Sequence, residues 1–174
     1  MSTKIYPILQ YPDDRLQRKG HKVLTFNEDF QAIIERMFTT HYAQNSCAAL
    51  AATQLDMPDP PHVTVIDFSD KKNEPLCLVN ANIIKKEGEA TEKEGCMSVG
   101  GKVYKAVSRA AIIHVEAQDQ HGKPISMKAE GFMARCIQHE LDHLNGTLFI
   151  DYLKPMQRRL IDEKLYKLKR KGKV

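Results

Sequence analysis

The stretch "QHELDHLNG", residues 138–146, places two histidines four apart with a glutamate directly after the first. On a helix His139 and His143 fall on one face, one turn apart, close enough to share a metal ion. The surrounding "EGFMARCIQHELDHL" (130–144) has helical period. Met133, Ile137, Leu141 and Leu144 form its apolar stripe, and Asn145-Gly146 supplies a C-terminal stop. The histidines are displaced from that stripe. A His-Glu-x-x-His match on a core helix reads as a metal site, with two surface histidines on an amphipathic helix as the plainer alternative. A catalytic zinc-type site takes three protein ligands and leaves one position open for water, so the pair is one ligand short.

Upstream, residues 26–42 read as a helix capped by Asn27, with Glu28 and Asp29 at its positive end and Phe30, Ile33, Ile34, Met37 and Phe38 on one stripe. A loop through "AQNSCAALAATQLDMPDPP" (43–61) follows. "VTVIDF" (63–68) and "LCLVNANII" (76–84) read as strands separated by the polar turn "SDKKNE". "AAIIHVEAQD" (110–119) alternates, with Ile113, Val115 and Ala117 on one side and His114 and Glu116 on the other. "QHGKP" then turns it into "ISMKA" (125–129), a hairpin. Strands followed by a helix predict an α+β fold, mainly antiparallel strands packed around a central helix that carries the His-Glu-x-x-His motif, with a C-terminal helix.

A chain of 174 residues is read as one domain, 1–174, large enough for a core without disulfides. Its 42% hydrophobic and 28% charged fractions are those of an ordinary globular protein. No apolar run approaches the roughly 20 residues of a membrane span. "MSTKIYPILQYPDDR" has no apolar signal core, and Cys47, Cys77, Cys96 and Cys136 show no framework spacing. The expectation is a cytoplasmic protein with reduced thiols, no membrane association and no DNA partner. The net charge of +4 is uneven: Lys154–Val174 carries nine Lys/Arg and two acids, a local +7 that leaves the body near −3.

Three sources of a third ligand present themselves. A histidine six residues beyond His143 is one pattern, but that position is Phe149, which binds no metal. A glutamate farther downstream is another. Glu163 stands 20 residues after His143, within the basic "RRLIDEKLYK". The third is upstream, where "EGCMS" (94–98) sets a cysteine beside a glycine. Thiolate and imidazole together suit Zn, Fe or Ni; a lone cysteine would otherwise read as a small core hydrophobe.

"LAATQ" (50–54), "EGCMS" (94–98) and "QHELDHLNG" (138–146), in that order, resemble the peptide deformylase family, which removes the formyl group from new polypeptides. The resemblance covers the whole chain. It implies that Cys96, His139 and His143 hold one divalent metal, Fe2+ in the cell and replaceable by Zn2+, Ni2+ or Co2+, and that Glu140 is the acid–base residue. Bound to such a metal, water drops from a pKa of about 15.7 towards ~7. Glu140 would take the proton and pass it to the departing amine. The resemblance assigns oxyanion stabilisation to the Gln54 side-chain amide and the Met97 backbone N–H. It implies formate and a chain with a free N-terminal methionine as products.

For the formyl-methionyl substrate, Ala48, Ala49, Leu50 and Gly95 are the expected chain-binding residues, with Phe132 and Cys136 lining an apolar pocket and Arg135 at its rim. Glu94, Arg109 and Asp142 are expected to orient the ligands. The family's first motif usually runs Gly-x-Gly-x-Ala-Ala-x-Gln, whereas "CAALAATQ" has Cys47 and Ala49 at the glycine positions. If either position needs a positive φ, the substitution costs on the order of 1 kcal/mol, and glycines there should raise kcat/KM. Gly100 and Ser108 also stand where prolines are usual.

The nascent formyl-methionyl peptide is the expected partner. The basic tail, 153–174, is expected to form a helix whose stripe of Met156, Leu160, Ile161, Leu165 and Leu168 packs on the domain, while its basic residues face ribosomal RNA. Two rival readings remain: a zinc endopeptidase using Glu163 as third ligand, and a non-catalytic or low-activity metal-containing relative that binds ribosomes or nascent chains.

Overall fold

The computed structural model describes residues 4–100 and 102–173; Met1, Ser2, Thr3, Gly101 and Val174, the last residue of the basic tail, lie outside them. The elements run α1 (Glu28–Tyr42), β1 (Ala49–Ala51), β2 (Val63–Ile66), β3 (Leu76–Glu87), β4 (Ala90–Glu94), β5 (Lys105–Arg109), β6 (Ile112–Gln118), β7 (Pro124–Glu130), α2 (Gly131–Leu144) and α3 (Pro155–Arg170). The fold class is α+β, as expected.

Five strands form one antiparallel sheet in the order β1-β2-β3-β6-β7, and β4 pairs with β5 as a separate hairpin. One face of the sheet receives α2. Ala134, Ile137, Leu141 and Leu144 pack there on Ile66, Leu78, Ile113 and Val115. The other face receives α1 at its β1–β3 end, where Phe30, Ile34 and Met37 meet Leu50, Val63, Val65 and Val79. Both faces of β2 are therefore covered, and all four of its residues are buried. β6 keeps its alternation, with Ile113, Val115 and Ala117 inside.

The Asn27 side chain accepts the Phe30 N–H and starts α1 where the sequence reading placed it. Gly146 ends α2 with φ +80°, and a Cβ there would lie 2.4 Å from the Gln17 carbonyl oxygen. That position requires glycine both for its backbone and for lack of space.

Three strands fall where the sequence reading had none. β1 lies inside the expected loop, three residues long; β4 and β5 form a short hairpin of polar composition. Without a second covered face they show neither a long apolar run nor clear alternation. The C-terminal helix also differs. Ile161 is buried and Leu165 and Leu168 are half-buried, but Met156 and Leu160 are 64% and 56% exposed. Of the five-residue apolar stripe expected on α3, Ile161, Leu165 and Leu168 are covered, and the polar contacts of Arg158 with Asp151 and of Asp162 with the Tyr11 hydroxyl add to the join. Arg158 is not free either: it is half-buried and paired with Asp151.

Candidate metal centre and active site

The hairpin β4–β5 delivers Cys96, two residues beyond the end of β4, against the face of α2 that carries the histidines. The ligand atoms of Cys96, His139 and His143 all lie within 4.8 Å of one another. Cys96 Sγ is 3.3 Å from His143 Nε2, which is 3.1 Å from His139 Nε2. Glu94 Oε1 accepts from His139 Nδ1 at 2.8 Å, which holds a proton on Nδ1 and turns Nε2 towards the cluster. Two imidazole nitrogens and a cysteine sulfur converging in this way fit a divalent cation of the zinc or iron kind. Glu163 is remote from this chemistry. It sits exposed on α3, paired with Arg159 at 3.2 Å, which removes the downstream-ligand scheme.

Glu140 is 4% exposed, and its Oε2 is one of two buried side-chain polar atoms without a hydrogen-bond partner among the described residues. Burial raises its pKa to about 7. A carboxyl poised near neutrality with a vacant oxygen is suited to accept and return a proton. Burial likewise pushes His143 well below its ordinary value, with His139 and Arg109 adding to the effect. Burial opposes a charge on His139 too, but Cys96 and Glu94 hold it up to about 10, so a metal ion taking Nε2 would displace a proton from that nitrogen.

Gln54 lies in a short 3-10 turn, Ala52–Gln54, and is 1% exposed. Its Oε1 accepts the Ala51 N–H at 2.9 Å, so Nε2 is aimed at Ser98 Oγ (3.0 Å) and Cys96 Sγ (3.5 Å). Met97 is anchored through its carbonyl by Gln10 Nε2 at 2.8 Å. Sequence reasoning missed three supports around this centre. Ser98 is fully buried and donates its N–H to Cys96 Sγ at 3.4 Å. Thr53 donates to the His143 carbonyl at 2.7 Å. Tyr152 donates its hydroxyl to Asp142 Oδ2 at 2.8 Å, with Arg109 lying over its ring. Ser98 and Thr53 lie inside the motifs quoted above, but nothing in the spacing assigned them a role, and Tyr152 belongs to no motif.

Glu94, Arg109 and Asp142 lie together in one ion-pair cluster. Arg109 donates to both Glu94 oxygens and, at 2.8 Å, to Asp142. Burial works against ionisation of Glu94, but Arg109 and His139 outweigh it and hold the carboxyl at about 2. Arg135 is the surprise. It is 8% exposed and bonded to Glu94, so it is not at a pocket rim. The helical i, i+4 spacing from His139 turns it onto the same face, towards the hairpin.

The substrate-side residues divide. Phe132 is 55% exposed and packs edge-on against Phe68 at 4.8 Å. With Cys47, Ala48, Tyr42 and Lys72 it lines a cavity of about 290 Å3. Cys136 and Leu50 are buried in the two core clusters instead, and Gly95 lies beneath the Tyr104 ring, where a Cβ would come within 2.5 Å. β1 is an edge strand. The pairing of Ala49 with Ile66, together with the Asp67 N–H to Ala48 carbonyl bond of 3.0 Å, turns the Ala49 N–H and C=O away from β2, with the Cys47 Sγ 3.4 Å from the carbonyl oxygen.

Neither Cys47 nor Ala49 has a positive φ, so the lost glycines leave no strained backbone. Cys47 Sγ instead lies 3.2 Å from His41 Nδ1, whose Nε2 donates to the Asp67 carbonyl at 3.0 Å. Ser108, at the position of an expected proline, donates to Glu89 on the exposed side of the hairpin, away from the metal cluster.

The profile of the polypeptide deformylase family matches residues 5–159. The chain belongs to the polypeptide deformylase family. It is 58% identical over 170 residues to peptide deformylase 1 of Coxiella burnetii, covering 98% of this chain and all of that one. A peptide deformylase of Xylella fastidiosa is 41% identical, over 97% and 98% of the two chains. Among solved structures, a peptide deformylase from Legionella pneumophila superposes with a TM-score of 0.89 at 41% identity, covering 97% and 98%. One from Ehrlichia chaffeensis, in complex with actinonin, gives 0.86 at 32% identity, covering 94% and 97%. The protein is thus an enzyme, a metal-dependent deformylase acting in protein biosynthesis.

Proposed function

We propose that Cys96, His139 and His143 hold one divalent metal ion, ferrous in the cell and exchangeable for zinc, nickel or cobalt, and that Glu140 moves the proton during removal of the formyl group from formyl-methionyl nascent chains. The observation that carries this reading is the convergence of the Cys96, His139 and His143 ligand atoms within 4.8 Å, with the buried, unpartnered Glu140 Oε2 on the residue that follows His139. A divalent ion bound there would supply Lewis acidity and bring the pKa of water towards ~7. Glu140 would accept the water proton and deliver it to the leaving amine. The Gln54 amide and the Met97 N–H would donate to the developing oxyanion, each such donor being worth about 3–4 kcal/mol of barrier.

The peptide would lie along the open edge of β1, hydrogen-bonded to Ala49 and passing Ala48 and Gly95. Phe132 would flank it, and Cys136 would contribute a buried apolar floor. Glu94, Arg109 and Asp142 would hold His139 in place. We read residues 1–174 as one domain working in the cytoplasm, with the basic end of α3 docking on ribosomal RNA. The test is formate release from a formyl-Met peptide by freshly metallated protein, with Cys96→Ala in parallel. Loss of both metal and turnover in the variant supports the ligand set. A metal-loaded wild-type protein that releases no formate would leave the non-catalytic alternative standing.

A further inference from the structure

Glu94 receives four donors on its two oxygens. Oε1 takes Arg109 Nη2 and His139 Nδ1, and Oε2 takes Arg109 Nε and Arg135 Nη1. One arginine would satisfy a carboxylate, so the second, Arg135, needs its own explanation. Its remaining bonds supply it. Arg135 Nη1 also donates to the Val107 carbonyl at 2.9 Å, and Nη2 donates to the Ala90 carbonyl at 2.8 Å. A single buried guanidinium therefore grips the first and last residues of β4 and the middle of β5. It does so from a point on α2 about one turn before His139.

The metal ligands come from two pieces of structure: Cys96 follows β4, and His139 and His143 ride on α2. Arg135 bridges these two pieces. Its charge is balanced locally, since Arg109 and Arg135 face Glu94 and Asp142. The planar fork lets one side chain reach three acceptors in fixed directions, which a lysine cannot do.

We propose that Arg135 is a positioning residue of the metal centre, fixing the β4–β5 hairpin to α2 so that the Cys96 thiolate meets the two imidazoles at metal-binding separation. The inference rests on the ligand assignment given above. Outer partners of metal ligands typically affect metal affinity by about 10–100-fold.

The test uses the full-length protein loaded with Co2+, whose absorption reports thiolate ligation and coordination geometry. Wild type, Arg135→Met, Arg135→Lys and Cys96→Ser are compared for Co2+ affinity by chelator competition, and for their spectra. Arg135→Met is expected to weaken Co2+ binding by at least tenfold with an altered thiolate band. Arg135→Lys is expected to recover only part of the loss. A change in affinity under threefold with an unaltered spectrum overturns the inference, even if the melting temperature falls, because Arg135 would then support the fold alone. If Arg135→Met does not fold, the same threefold criterion applied to Arg135→Lys decides. Cys96→Ser separates the two readings: if it binds Co2+ like wild type, the ligand assignment itself fails, whereas its loss of metal beside an unaffected Arg135→Met rejects only the role of Arg135.

Discussion

Replacing Cys47 and Ala49 together by glycine tests how the substrate edge is built. From sequence the change should help, because it restores the family's usual glycines. From structure it should harm. Ala49 is 7% exposed in β1, so its methyl is worth about 0.8 kcal/mol of burial. A glycine within a strand adds about 0.5–1 kcal/mol of lost chain entropy. Burial pushes the Cys47 thiol up to about 12, so it is a neutral donor; its removal leaves His41 Nδ1, in a residue 2% exposed, without that partner. An unsatisfied buried group costs about 1–3 kcal/mol, and the nearby cavity, which admits water, favours the lower end. The total is about 3 kcal/mol, and since the residues are neighbours the terms need not add. For a chain of this length each kcal/mol lowers Tm by roughly 2–4 °C, so a fall of about 6–12 °C is expected. Thermal unfolding by circular dichroism measures it, with kcat/KM on a formyl-Met peptide measured alongside and expected not to rise. An unchanged Tm, or a threefold gain in kcat/KM, would refute the reasoning.

Glu140→Gln should keep the metal and lose about 10²–10⁴-fold in turnover, because an amide cannot take the proton; turnover within threefold of wild type removes Glu140 from the mechanism. Asp67 resists ionisation through burial, but the Ser69 and Tyr42 hydroxyls and two backbone N–H groups hold it at about 2. Because its folded value lies below the ordinary 3.8, its contribution to stability is present above that pH and fades as pH falls towards 2. The stability gap between wild type and Asp67→Asn should therefore close from pH 5 to pH 2 in urea titrations, and a constant gap contradicts the assignment. Deleting residues 169–174 should weaken ribosome co-sedimentation, most visibly at low salt, with little change in peptide turnover. Sedimentation unaffected at low salt sinks the docking role, and collapsed turnover makes the tail structural.

The sequence by itself determined the elements whose signals are local. The cap at Asn27, the alternation of β6 and the stop at Asn145-Gly146 each act within a few residues and stand where the pattern puts them. The i, i+4 spacing of His139 and His143 likewise needs nothing but a helix. Cys96 was legible only through the order of three motifs, because no spacing rule joins a residue to a helix 43 positions later. Tertiary structure alone decided the rest. Arg135 reads as the rim of a substrate pocket until the β4–β5 hairpin offers it Glu94 and two carbonyls. Met156 and Leu160 look like core residues until α3 meets the body along too narrow a strip to cover them. Cys47 and Ala49 look like backbone defects until β1 pairs in ordinary extended geometry. In each case the side chain's role depends on which distant segment arrives beside it. Periodicity along the chain carries no information about that.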